Sequence, residues 1–109
     1  MRVWALKSCD TCRKAQRALN DAGQRFETID VRADGVTRED LARFQARFGE
    51  ALINRKSTTW RGLDDAQRSG DPIALLLDHP TLMKRPVIET DDGTLLLGWT
   101  AETRSALGL

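Results

Sequence analysis

Cysteine and histidine are scarce in this chain, with two of the first and one of the second among 109 residues. Two cysteines are too few for the disulfide framework of a small secreted scaffold. With His79 as the single histidine, a closed four-ligand zinc site would need carboxylates or another subunit to complete it. An excess of one charge is also missing, since 17 Lys and Arg face 16 Asp and Glu and leave a formal charge of +1. No long-range field therefore draws in nucleic acid or an anionic membrane, and any anion site must be local. No apolar run is long enough to span a bilayer, and the run in "MRVWALKSC" is too short for a signal peptide. A cytoplasmic protein with no membrane partner and no direct nucleic-acid partner is expected.

What is present suits a single folded domain over residues 1–109. The apolar fraction of 40% and charged fraction of 30% are ordinary for a globular protein and give no sign of disorder. Repeats, low-complexity segments and linkers are absent. "RVWAL" (2–6) reads as a short buried strand, and "TCRKAQRALNDA" (11–22) carries Ala15, Ala18, Leu19 and Ala22 at helical spacing before the stop at Gly23. "RFETIDV" (25–31) reads as a second strand, completing a βαβ unit if the two are parallel. Thr37 opens "TRED", close to a capping box, and Leu41, Phe44 and Phe48 mark an amphipathic helix with a core-facing stripe.

The middle, 51–71, predicts a short helix and an ordered loop. Asp71–Pro72 starts a further helix that ends at His79, whose ring can bond the last carbonyls. "PVIET" and "TLLLGW" flank the turn signal "DDG" as an antiparallel hairpin, and Thr100 caps a last helix, "AETRSAL". Trp60 and Trp99 read as packing residues.

Both cysteines lie in "LKSCDTCRKA", where a strand gives way to a helix. A helix start favours a thiolate through its unpaired N–H groups and positive dipole end. Lys7, Arg13 and Lys14 add positive charge there, against Asp10, so a lowered pKa is expected for Cys9. Cys12 follows one turn later on the same face. A bond between them requires Cys9 to lie in the loop or at the helix start, because residues three apart inside a regular helix hold their Cβ atoms slightly too far apart. In that position Cys9 attacks and Cys12 resolves the mixed disulfide. The bland alternative is a pair of small buried residues.

Together "SCDTCRKA", "LINRKSTTWRGLD", "HPTLMKRPVI" and "LLLGWT" resemble the arsenate reductase-related proteins of the ArsC/Spx type, in order and over essentially the whole chain. Among them the chain is most similar to the short bacterial proteins proposed to be glutathione-dependent thiol reductases. The resemblance implies an α/β, thioredoxin-like fold: a mixed four-stranded sheet flanked by helices, with a helical insertion. It implies that Cys9 is the nucleophile, that Arg13, Arg55 and Arg85 hold the anion, and that Pro86 is a cis proline facing the nucleophile. Paired guanidinium donors suit oxyanions and carboxylates.

Two departures bear on substrate. Cys12 supplies a second thiol where arsenate reductases generally have a small residue, and Gly98 stands where they bring a third arginine, which disfavours arsenate. The expected activity is a thiol–disulfide oxidoreductase with no bound cofactor, with glutathione as cosubstrate, glutathione or protein thiols as partners, and a monomeric state. The alternative is a non-enzymatic redox-sensing regulator of the Spx type that binds RNA polymerase, although the longer tail of such regulators is not seen here. A thiol-inert binding module is the third reading.

Overall fold

In the computed structural model, which describes residues 1–109, the chain begins as β1 (Arg2–Ala5), α1 (Asp10–Asp21), β2 (Glu27–Asp30) and α2 (Arg38–Phe48). A 3-10 turn (Gly49–Leu52) leads to α3 (Thr58–Arg61), α4 (Asp65–Arg68) and α5 (Pro72–Asp78). A second 3-10 turn (Pro80–Leu82) precedes β3 (Val87–Glu89), β4 (Leu95–Leu97) and α6 (Ala101–Ala106). Contacts divide the chain into two units, one of Met1–Asp30 with Arg85–Leu109 and one of Val31–Lys84.

The first unit holds the sheet, in the order β2-β1-β3-β4. β1 pairs parallel to β2 and antiparallel to β3, and β3 pairs antiparallel to β4. This is the mixed four-stranded sheet expected above, with β1 and α1 completing the βαβ unit. Alternation along the strands sorts the side chains. Val3 lies opposite Ile88, and Ile88 opposite Leu96, so the three share one face with Ala5. There they meet Leu19 and Cys12 of α1, with Trp99 and Leu107 packed alongside.

Trp4 and Val87 point to the opposite face and are also buried. Trp99 therefore packs as expected. At the open end of β1, Arg2 pairs with Glu89 at 2.5 Å and lies 5.1 Å from the Trp4 ring centroid. The hairpin turn closes where the Thr90 N–H donates to Thr94 O at 2.9 Å, with Gly93 at φ 87, a conformation other residues rarely adopt. Asp92 accepts from the Thr90 hydroxyl and the Thr94 N–H, which holds its carboxyl below the usual range.

In the second unit α2 packs on α5. Thr37 caps α2 by accepting from the Asp40 N–H at 3.1 Å, a cap without the reciprocal Glu or Gln of a full box. Leu41 and Phe44 are buried and Phe48 is half-buried, so the stripe narrows toward the helix end. The middle is more structured than its aperiodic sequence predicts, holding two short helices where one was expected. Each is too short to show a period and each is set by its cap: Ser57 on Trp60 N–H at 3.1 Å, and a full Asp64–Gln67 capping box. α5 starts at Asp71–Pro72 and is closed by the backbone N–H of His79 donating to Leu75 O at 2.8 Å. That bond uses the backbone, where the sequence pointed to the ring.

Leu19 is fully buried between α1 and the sheet. Leu19→Ala is expected to lower stability by about 2–5 kcal/mol, read as a fall in urea midpoint at unchanged slope; an unmoved midpoint would contradict this core.

Candidate functional site

The segment between β1 and α1 is short and tied down. The Cys9 N–H donates to Leu6 O at 3.0 Å, which turns the chain sharply after the strand. Cys9 has extended backbone angles (φ −88, ψ 114) and is the N-cap of α1, so it lies just outside the regular helix. Its sulfur takes the part an oxygen usually plays at this position, accepting the Cys12 N–H at 3.4 Å. Both cysteines are free thiols; Cys9 is half-buried and Cys12 is buried, with 1% of its surface exposed.

β3 brings the third member of the group. Trp4 pairs with Val87, so continuing that antiparallel register past the strand ends sets Pro86 and Arg85 beside the β1–α1 turn. The Arg85–Pro86 peptide is cis, the isomer the resemblance implied. Arg85 hydrogen-bonds the Cys9 sulfur. Burial pushes the Cys9 thiol up, but the Cys12 thiol and amide donors, together with the bond and charge of Arg85, outweigh it and leave the pKa below the ordinary value. Cys12 moves the other way, to about 12, chiefly through burial and through its hydrogen bond to Cys9. The two thiols thus diverge: Cys9 ionises more readily than an ordinary thiol, and Cys12 keeps its proton and donates to it.

The remaining basic positions are placed differently. Arg13 is on the exposed side of α1 and pairs with Asp10. Arg55 belongs to the second unit, where it donates to Glu50 O at 3.4 Å and lies 5.5 Å from the Trp60 ring centroid. Arg68 approaches the same ring at 5.7 Å, so two guanidinium groups lie against Trp60.

Gly98 has φ 75 and its N–H donates to Pro86 O at 2.8 Å. An arginine there would have to adopt a strained backbone. No three His, Cys, Asp or Glu side chains come together as a metal site. Sequence reasoning missed the Cys12 thiol as a donor to Cys9 and the Asp10–Arg13 pair; in both cases the spacing of three at a helix start was the available signal.

The ArsC family model matches residues 4–107. An uncharacterized protein of Haemophilus influenzae is 35% identical over 109 residues, covering 95% of each chain. The global transcriptional regulator Spx of Streptococcus mutans is 26% identical over 101 residues, covering 87% of this chain and 73% of the relative. Among solved structures, the YffB protein superposes with a TM-score of 0.85 at 33% identity over 96% of each chain. An arsenate reductase (ArsC) related protein from Brucella melitensis gives 0.72 at 33% identity over 99% of this chain and 94% of its own. The sheet and its helices are thus the thioredoxin-like fold of these proteins.

Alkylation of Cys9 is expected to follow one ionisation below that of an ordinary thiol, because the thiolate persists until the pH falls through the lowered pKa. Cys12 stays protonated and unlabelled through the neutral range. Arg85→Met removes a bond and a charge that favour the thiolate, so it moves the Cys9 profile to higher pH. Mass spectrometry of labelled peptides over a pH series checks all three, and a profile unmoved by Arg85→Met would contradict the contact.

Proposed function

The chain belongs to the ArsC family, and on that premise we propose that it is a glutathione-dependent thiol–disulfide oxidoreductase of the cytoplasm, with Cys9 as nucleophile and Cys12 as resolving thiol. The observation that carries this reading is the Cys9 sulfur at the N-cap of α1, accepting from Cys12 N–H and from Arg85, with the Cys12 thiol buried one turn away. In the first step the Cys9 thiolate bonds one sulfur of a substrate disulfide, and the other sulfur leaves with the electron pair. Cys9 is then neutral. The hydrogen bond and charge that held the Cys12 proton are gone, so its pKa falls toward that of an ordinary buried thiol.

Cys12 gives up its proton, bonds Cys9 and expels the second substrate sulfur as a thiolate. Two glutathione thiols then reduce the Cys9–Cys12 disulfide and leave as glutathione disulfide, closing the cycle. The family pattern gives Pro86, next to Arg85, the place facing the nucleophile. It gives Arg13 and Arg85 the anionic groups of glutathione to hold. Arsenate is the less favoured oxidant, since the glycine at 98 supplies no third guanidinium.

Cys9→Ser is expected to reduce turnover of a low-molecular-weight disulfide with glutathione to background. Cys12→Ser is expected to accumulate a mixed disulfide between Cys9 and glutathione, visible by intact-mass spectrometry. Full activity in Cys9→Ser would end the reading.

The match to Spx favours a second reading, a redox-sensing regulator that binds RNA polymerase. Specific copurification with the polymerase α subunit, lost on oxidation of Cys9 and Cys12, together with no glutathione-dependent turnover, would put it first. Turnover without copurification would exclude it.

A further inference from the structure

Asp10 and Arg13, the charged side chains of the first turn of α1 after Cys9, form an ion pair with each other. Both are exposed, with 80% of the Asp10 side chain and 60% of the Arg13 side chain accessible. Such a pair is screened by water and salt and is held weakly. Arg85 is engaged with the Cys9 sulfur. Lys7 and Lys14, both exposed, lack the planar fork that grips a carboxylate with two donors. Arg13, whose backbone N–H donates to Cys9 O at 3.1 Å one turn along α1, is therefore the guanidinium of the first turn whose present partner a ligand can replace.

We propose that Asp10 is a specificity-determining residue: by occupying Arg13 it sets how strongly Cys9 favours disulfides that carry a carboxylate near the reacting sulfur. The inference rests on the thiol–disulfide reading above and deepens it. An anionic disulfide must displace Asp10 from Arg13 and meets its negative charge on approach, whereas a neutral disulfide meets neither obstacle. The chemical step is the same for both. The Cys9 thiolate bonds the nearer sulfur, the old S–S bond breaks, and the farther sulfur leaves as a thiolate.

The test compares the first-step rate of Cys9 with dithiobis(nitrobenzoate), which has a carboxylate on each ring, and with dithiodipyridine, which has none. The ratio of the two rates cancels the thiolate fraction and the general accessibility of Cys9, so a merely structural effect leaves it unchanged. Asp10→Asn is expected to raise the anionic-to-neutral ratio about two- to fivefold at low ionic strength, the factor an exposed pair commands, and the rise should shrink in high salt. In an Arg13→Gln background the same substitution should raise the ratio by clearly less. A ratio unmoved by Asp10→Asn, or an equal rise in both backgrounds, overturns the proposal while rapid reaction of the native chain with dithiodipyridine keeps the oxidoreductase reading intact. Slow reaction of native Cys9 with both probes overturns that reading and the inference with it.

Discussion

A half-buried sulfur is poorly placed to carry charge, and the site depends on reversing that disadvantage. Removing Cys9 from water raises the free energy of its thiolate. Three donors restore it: a backbone N–H, the Cys12 thiol and the Arg85 side chain. Two belong to Cys12 at the start of α1 and the third to Arg85 before β3, so the lowered pKa of Cys9 depends on the assembled first unit. The donors are also fixed before any substrate arrives, which avoids reorganisation at the moment of reaction.

The central strand explains how they are assembled. β1 has a parallel partner on one side and an antiparallel partner on the other. The parallel pairing requires a crossover, and that crossover is α1, whose N-terminus must begin just beyond the end of β1. The antiparallel pairing brings the residues before β3 to that same end. The nucleophile and its guanidinium thus meet because two rules of strand pairing share one strand.

The second unit is organised by caps and short helices. Arg55 is held there by Glu50 O and by the Trp60 ring, contacts that orient a guanidinium without neutralising its charge. Gly98 shows the opposite case, a position where the backbone itself discourages an arginine. Its φ of 75 and its bond to Pro86 O belong to the strand end that follows β4. A glycine at 98 therefore suits the local fold of this chain.

Much of this was legible in the residues. The βαβ unit, α2, α5, the hairpin and α6 follow from apolar period, from Thr37, Asp71 and Thr100 as caps, and from the Asp-Asp-Gly turn, all of which act over a few residues. The position of Cys9 at a helix start, and hence the direction of its pKa, was also readable, because the N-cap is a local device. The short α3 and α4 were less so: four residues carry no period, and only their caps mark them. Tertiary structure alone decided that Arg85 reaches the Cys9 sulfur and that Cys12 keeps its proton to about 12. The physical reason is range. Helix spacing and capping are properties of neighbouring residues, whereas desolvation and the contact between residues 9 and 85 exist only once β3 has paired with β1 and closed the core around the thiols.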